Sequence, residues 1–408
     1  MMHILFLTDN FPPEVNAPAS RTYEHARHWV SLGHQVTVIT GAPNFPDGKV
    51  FPGYKNRIWQ SEFIEGIKVI RVLTYITANE GFIKRILDFL SFMLSSFIAA
   101  LFVRRIDVVI GTSPQFFTAC SAFLVGLVKR KPFVFELRDL WPETIRVIGR
   151  SKAHTLLNLL ERLELFLYRK ANLIIAVTDS FKSNLVSRGI DNEKIKVVTN
   201  GVRLDQFNYD RKARVTLRNE WSWTDKFIAA YIGTHGECQK LETVLNAAEY
   251  CENTSKYRNV RFLFVGSGSQ KNDLMKQGHD LTNVKFLPQV RKEEIAGYWS
   301  AVDLSIIHLV NNEMFKSVIP SKIFESMAMQ IPMALGVEGE AKKIIDKNNV
   351  GLSFKPEDYM GLVGCIDLFM TDRGMLTNLK QNCRTSATKY ERNELATNML
   401  YHLENIIK

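Results

Sequence analysis

Short apolar runs alternate with longer helix-period stretches along the first two hundred residues. HILFLT (3–8) and the β-branched QVTVIT (35–40) read as buried strands, and KVIRVL (68–73), DVVIGT (107–112), PFVFEL (132–137), LIIAVT (173–178) and IKVVTN (195–200) repeat the pattern. The first helical stretch, 19–32, stops at Gly33. A second series begins after Trp223: FIAAYIG (227–233), VRFLFVG (260–266), NVKFLP (283–288), DLSIIHL (303–309), IPMALG (331–336) and GLSFK (351–355), again with helical segments between. Such alternation predicts α/β domains whose parallel sheets carry helices on both faces. The polar segment 201–225 breaks the rhythm and reads as a linker. It separates a Rossmann-like domain over 1–205 from a second over 206–387, with a terminal helix, 388–408, that folds back on the first.

One run departs from the pattern. ILDFLSFMLSSFIAALFV (86–103) is 18 residues long, flanked by Lys84 and Arg85 and by Arg104 and Arg105. That is the lower edge of a membrane-spanning length, but a span here would tear the early strands from the one at 107–112. A helix lying in the membrane interface, its basic flanks on anionic headgroups, is the expectation; a plain core helix is the alternative.

Charge supports that picture. Of the +10 formal charge, most lies early: residues 1–200 hold 25 Lys and Arg against 17 Asp and Glu, and the remainder holds 27 against 25. A basic first half suits an anionic partner. Lipid headgroups and a phosphorylated acceptor fit, and no nucleic-acid motif accompanies the charge. Five cysteines without a CxxC indicate reduced thiols rather than a disulfide framework. MMHILFLTDN has no basic leader and no long apolar core, so a cytoplasmic protein at the inner membrane face is expected.

Ligands of parallel α/β sheets gather in the loops beyond the strand carboxyl ends. The loop TDNFPPEVNAPASR (8–21) offers Glu14, Asn16 and Arg21 to an acceptor or phosphate. ELRDLWPET (136–144) sets Arg138, Asp139 and Glu143 just beyond a buried strand, where charge is costly unless paired or used. Arg138 and Asp139 either pair with each other or stand beside the reacting group. In YIGTHGECQK (231–240), Gly233 and Gly236 let backbone approach a ligand, the following helix N-terminus suits a diphosphate, and His235 and Lys240 add charge. FVGSGSQK (264–271) supplies Gly266 and Gly268 but has Lys271 where a dinucleotide fingerprint would carry its third glycine, which excludes a nicotinamide or flavin reading.

VIPSKIFESMAMQ (318–330) is the most informative stretch. Pro320 and Ser321 open a helix, with Ser321 at the N-cap; Lys322 and Glu325 share one face of its first turn. A lysine at a helix N-terminus is unfavourable unless an anion sits there, and that anion would be a phosphate. Glu325 can accept two ribose hydroxyls. No HExxH, DxD or His/Cys cluster is present, so no metal and no cofactor is expected.

Together FPPE (11–14), GHQVTVIT (33–40), RDLWPE (138–143), KVVTNGV (196–202), GTHG (233–236), FVGSG (264–268) and PSKIFESMA (320–328) resemble the retaining glycosyltransferases of family 4, with the GT-B architecture. The chain is similar to the O-antigen and capsule transferases, including the N-acetyl-L-fucosamine transferase type. The resemblance implies two Rossmann-like domains with parallel sheets facing a central cleft. It implies a sugar-nucleotide donor, UDP-linked, in the second domain and a lipid-diphosphate-linked acceptor in the first, in surface polysaccharide assembly. It makes Gly233, His235, Gly236, Lys240, Gly266, Gly268, Arg291, Pro320, Ser321, Lys322 and Glu325 donor-side residues. Arg138, Asp139, Lys322 and Glu325 become the catalytic set. Glu325 matches the second glutamate of the family's E-x7-E motif, but Ser317 stands where the first would be. A sugar-nucleotide epimerase on the same architecture and an inactive partner subunit are the competing readings.

Overall fold

In the computed structural model, which describes residues 1–45, 48–77, 82–140 and 154–407, every short apolar run read above as a strand contains one. The chain divides into two units, one of residues 1–200 together with the segment from Arg392 onward, the other Gly201–Glu391.

The first unit follows the order β1 (His3–Leu7), α1 (Ala17–Ser31), β2 (Gln35–Gly41), β3 (Trp59–Ile64), β4 (Ile67–Val72), α2 (Phe82–Phe102) and β5 (Val108–Thr112). It continues through α3 (Phe116–Lys129), β6 (Phe133–Leu137), α4 (His154–Lys170), β7 (Leu173–Ala176), α5 (Asp179–Ser187) and β8 (Ile195–Val197). The sheet runs β3-β4-β2-β1-β5-β6-β7-β8. All neighbours are parallel except the hairpin β3–β4, where Ile64 pairs with Ile67. The hydrophobic pattern missed β3 because WQSEFI lies half-exposed on the sheet edge. Glu65 and Gly66 at its turn both take positive φ, 47° and 81°, as a two-residue hairpin loop requires.

Helix α1 starts where Asn16 Oδ1 accepts the Ala19 amide at 2.9 Å, a capping bond that satisfies a free first-turn N–H. Helices α2, α3 and α4 cover one face of the sheet, their core built from Phe92, Ala100, Phe116, Ala122, Leu160 and Leu167. The other face is covered by α1 and by the last helix of the chain, α14 (Arg392–Ile407), which buries Ala396, Met399 and Leu403 there. Trp29 is fully buried between them and donates its indole N–H to the Ala396 carbonyl at 2.8 Å.

The run at 86–103 falls within α2. It buries Phe92 and Ala100 in the core and leaves Leu94, Ile98 and Phe102 58%, 56% and 71% exposed. Among the described residues no helix is long and apolar enough to cross a membrane.

The second unit opens with α6 (Arg211–Glu220), so the segment read as a linker is half helix. Arg214 and Arg218 of α6 both pair with Asp303, at 2.8 and 2.5 Å, which clamps it to the sheet. There follow β9 (Phe227–Ile232), α7 (Glu242–Asn253), β10 (Val260–Val265), α8 (Lys271–Gln277), β11 (Val284–Leu287), α9 (Ile295–Ser300) and β12 (Leu304–His308). The unit is completed by α10 (Lys322–Ala328), β13 (Met333–Gly336), α11 (Glu340–Asn348), β14 (Gly351–Ser353), α12 (Tyr359–Thr371) and α13 (Arg373–Ala387). Its sheet is wholly parallel in the order β11-β10-β9-β12-β13-β14.

Candidate functional site

Each sheet reverses its strand order once near its middle, and such reversals open the crevice where ligands of these folds bind. In the second unit the reversal lies between β9 and β12. The chain leaving β9 is the GTHG turn, and the chain leaving β12 leads to Pro320 and α10.

Lys322 is the meeting point of those two loops. Its Nζ lies 3.6 Å from the centroid of the Tyr231 ring, a cation–π contact. A Cβ on Gly233 would come within 2.8 Å of the same nitrogen, so glycine at 233 makes room for the ammonium. Burial pulls the Lys322 ammonium down to about 7, with the Glu325 carboxylate opposing. The lysine therefore sits at the edge of losing its proton, and a neighbouring anion would hold that proton in place.

The glycines serve loop–loop packing as much as ligand approach. Gly266, at φ 146°, lies so close to the turn after β9 that a Cβ would be 1.9 Å from the Gly233 carbonyl oxygen. A Cβ on Gly268 would meet the His235 carbonyl at 2.3 Å. Lys271, noted in the sequence only as a missing glycine, donates from Nζ to the Gly266 and Leu287 carbonyls at 2.7 Å each. It ties the loops after β10 and β11 together. Beyond these strand ends opens a cleft walled by Ile232, Val265, Val290 and Ile295, with Ser267 and Gln289 at its polar edge. Ser267 Oγ donates to Gln289 Oε1 at 2.8 Å, which leaves the Gln289 amide N–H groups for another acceptor.

Several expectations need correction. His235 cannot add positive charge: it is fully buried among the Tyr231, Phe264 and Phe286 rings. Burial, reinforced by Lys271 and Lys322, lowers its imidazole to about 4, and both ring nitrogens lack a hydrogen-bond partner. The helix expected directly after GTHG is delayed by a 3-10 turn, Glu237–Gln239, and by Lys240 in the left-handed region at φ 45°. Within that turn the Gly236 amide donates to Gln239 Oε1. Lys240 lies 3.9 Å from Glu242, and Arg291 binds Glu294 at 2.6 Å on the surface. Ser321 occupies the N-cap position of α10, after Pro320, but its hydroxyl makes no capping bond. Ser317 Oγ donates to its own turn at Met314 O, and neighbouring Lys316 pairs with Glu313 and Glu338.

In the first unit the reversal lies between β1 and β5. Glu14, Asn16 and Arg21, expected to face an acceptor, have internal partners. Glu14 is buried and accepts the Phe11, Asn44 and Phe45 amides at 3.2, 2.8 and 2.9 Å. Asn16, besides capping α1, donates to Asn10 Oδ1 at 2.7 Å. Arg21 pairs with buried Glu136 at 2.9 Å and donates to the Val198 and Thr199 carbonyls and to Asn200. Burial opposes ionisation of Glu136, but the Arg21 and Arg138 guanidiniums outweigh it and hold the carboxyl low.

Arg138 faces that same Glu136; burial brings its guanidinium down to about 10. It donates to the Pro18 carbonyl at 3.2 Å. The backbone amides of Arg138 and Asp139 both converge on Ser113 Oγ, at 2.7 and 3.2 Å, which fixes the end of β6 against the loop after β5. Glu143 lies outside the described residues. Among the described residues no three metal-type side chains converge.

Beyond the carboxyl ends of β1, β2 and β4, beside α2, lies an open cleft. Sequence reading did not find it. Its lining includes Asp9 and Asn10 after β1, Gln115 at the start of α3, and Asp88 and Phe89 of α2.

Comparison with known proteins agrees with this architecture. Residues 19–206 match the profile Glycosyltransferase Family 4, and 214–388 match Glycosyl transferases group 1. WcaI of Escherichia coli strain K12, named for glycosyl transfer in colanic acid biosynthesis, is 26% identical over 338 residues, 80% of this chain and 81% of its own. Sucrose-phosphate synthase from Thermosynechococcus elongatus superposes with a TM-score of 0.77 at 15% identity, over 100% of this chain and 99% of that one. Anabaena HepE, solved with UDP and glucose, gives 0.73 at 16% identity, over 99% and 100%. The chain is thus a glycosyltransferase of GT-B fold, a Glycosyltransferase Family 4 domain followed by a Glycosyl transferases group 1 domain.

Proposed function

We propose that this enzyme transfers a sugar, with retention of anomeric configuration and without a divalent metal, from a UDP-linked donor to a lipid-diphosphate-linked glycan in bacterial surface polysaccharide assembly. The observation that carries the donor half is the Lys322 ammonium lodged against Tyr231 and the Gly233 turn at the strand reversal. A diphosphate beside it supplies the anion that keeps the lysine charged. Glu325, one turn on, accepts the ribose hydroxyls, and the cleft edged by Ser267 and Gln289 takes the base. The name of WcaI supports the polysaccharide assignment, and the UDP and glucose in HepE support the donor class. An N-acetyl-L-fucosamine donor is the first sugar to test.

In the proposed reaction the acceptor oxygen forms its bond to the anomeric carbon as that carbon's bond to the β-phosphate oxygen breaks. The electron pair of the broken bond stays on the phosphate, and the acceptor proton passes to it. Lys322 stabilises the charge that grows there, a prepositioned electrostatic contribution. Arg138 and Asp139, fixed through Ser113, are assigned to the acceptor half.

The membrane face of the proposal is the outer surface of α2, α3 and α4. Leu94, Ile98 and Phe102 of α2, Leu127 and Val128 of α3, and Leu159 of α4 are exposed, and Phe123 and Phe166 join α3 to α4 with rings 5.5 Å apart. Arg104, Arg105 and Arg130 follow the carboxyl ends of α2 and α3, and Lys170 ends α4. Exposed apolar side chains rimmed by cations suit an anionic bilayer surface.

The test is turnover of a sugar-nucleotide panel in the presence of lipid-diphosphate sugars in phosphatidylglycerol vesicles. Transfer to the lipid with Lys322→Ala inactive is the expected result. Donor isomerisation without transfer, or no donor binding, overturns the proposal in favour of an epimerase or an inactive subunit respectively.

A further inference from the structure

Four strand ends of the second unit converge on one imidazole. His308 closes β12 and is buried. Its Nδ1 lies 2.8 Å from the Gln239 carbonyl oxygen, at the end of the 3-10 turn that follows GTHG. On the other side of the ring the Glu357 backbone amide, from the loop after β14, donates to Nε2 at 2.9 Å. The ring stacks on Phe354 with planes 10° apart. β13 ends in Gly336, where a Cβ would come within 2.5 Å of His308 Cδ2 and 2.6 Å of the Phe354 ring.

These partners fix the tautomer. A carbonyl oxygen only accepts, so the Nδ1 facing Gln239 carries the proton; an amide N–H only donates, so Nε2 keeps its lone pair. One neutral imidazole satisfies both, and neither the other tautomer nor the imidazolium does. Burial keeps the ring neutral, opposed by the Gln239 carbonyl and by the Glu357 and Glu242 carboxylates.

The bonds run on from the ring into the turn after β9. Gln239, whose carbonyl takes the Nδ1 proton, accepts the Gly236 amide on its side chain at 3.1 Å. Nearer the start of that turn the Tyr231 hydroxyl donates to the Thr234 carbonyl at 2.9 Å, and Lys322 lies over the Tyr231 ring. Tyr231 thus pins the turn where it opens and His308 where it closes. Glu357 stands at φ 67°, a conformation that side chains disfavour, and its carboxylate accepts the Asn311 amide at 2.8 Å. That bond joins the same ring to the chain leading toward Pro320 and Lys322. A backbone rung, the Val310 amide to the Cys238 carbonyl at 2.8 Å, runs alongside.

We infer that His308 is a positioning residue: as its Nδ1–H tautomer it holds Gln239, and through Gln239 the Gly233–Gly236 backbone, in the shape that receives the donor diphosphate. Binding groups keep their geometry when hydrogen bonds from behind lock them. What the turn receives rests on the donor reading above; the holding itself does not.

Two substitutions separate the bonds. His308→Asn carries an amide at the Nδ1 position and keeps the bond to Gln239. His308→Gln reaches the Nε2 position, keeps the bond to Glu357 and loses Gln239. Each removes one hydrogen bond from the same buried site, so a merely structural role makes them alike. Hydrogen–deuterium exchange of the full chain should leave residues 233–240 at parental protection in H308N and raise exchange there about tenfold in H308Q. UDP titrated into the same proteins should bind H308N as it binds the parent, and H308Q about tenfold more weakly. Equal behaviour of the two variants in either measurement, or parental behaviour of H308Q, overturns the inference. Gln239→Met, at a half-buried position, breaks the relay without touching the ring and decides the matter should a His308 variant not fold. It too should loosen 233–236, and parental exchange there overturns the inference. When the parent itself binds no UDP, exchange alone decides the holding, and the donor reading falls instead.

Discussion

The two strand-reversal crevices of this chain follow the same topological rule but manage charge in opposite ways. In the first unit Arg21 and Glu136 are buried against each other, and the guanidinium is further occupied by the Val198 and Thr199 carbonyls. That charge is internally balanced. In the second unit Lys322 lies against an aromatic ring, with Glu325 acting on it from the next turn. The first arrangement is structural; the second, in our proposal, is completed by the donor diphosphate. Burial alone does not tell a functional charge from a structural one; the completeness of its partners does.

The contrast can be broken from either side. The largest effect is expected from Arg21→Met, which leaves buried Glu136 without its ion-pair and hydrogen-bond partner and with only the Arg138 guanidinium near it. Removing one member of a buried pair costs about 3–5 kcal/mol, read as a lower urea midpoint, with UDP affinity retained by whatever remains folded. A parental midpoint would show that the Arg21 pair is not structural. Lys322→Ala should do the reverse. Loss of a charge-assisted contact of about 3 kcal/mol weakens UDP binding about 100-fold, while stability is unchanged or improved because a desolvated ammonium is gone. Calorimetric titration at fixed pH measures the first and thermal melting the second.

The sign of the pH dependence sharpens the same point. With its pKa drawn down to about 7, free Lys322 is charged below that pH and neutral above it. The diphosphate complex keeps the proton. UDP affinity should therefore be flat below pH 7 and fall by up to about tenfold per unit above it. About one proton is taken up on binding at pH 8, measurable by titration in two buffers of different ionisation enthalpy. Lys322→Arg, which stays charged, should flatten the profile. The smallest effect is expected at Gln289→Leu: about 1 kcal/mol, or fivefold, in UDP affinity from one neutral hydrogen bond, with inorganic diphosphate binding unaltered.

The sequence carried the fold well because its signals are local. Buried parallel strands read as short apolar runs, and each such run from HILFLT to GLSFK became one. The strand that escaped, Trp59–Ile64, is an edge strand whose alternate residues are exposed. The site was less legible because it depends on which side chains meet. Lys322 was identifiable from its place at a helix start. His235 was misread because a histidine in a glycine turn looks available for phosphate, and only tertiary packing reveals that three rings enclose it. Glu14 and Asn16 belong to the right loop, but they hold Asn44, Phe45 and Asn10, which form the cleft wall. Asp9 and Asp88 went unremarked as a pair because 79 positions separate them along the chain and only the packing of α2 beside β1 unites them.

The seat of Trp29 has a consequence for how the molecule is made. Its indole is covered by Ala396 and the rest of α14, so the outer layer on that face of the first sheet cannot close until residues near 400 have left the ribosome. The second unit is a continuous stretch that is complete by Glu391. The domain whose synthesis starts first is therefore the last to finish, and during translation it exposes a tryptophan-lined groove that a nascent-chain chaperone can cover.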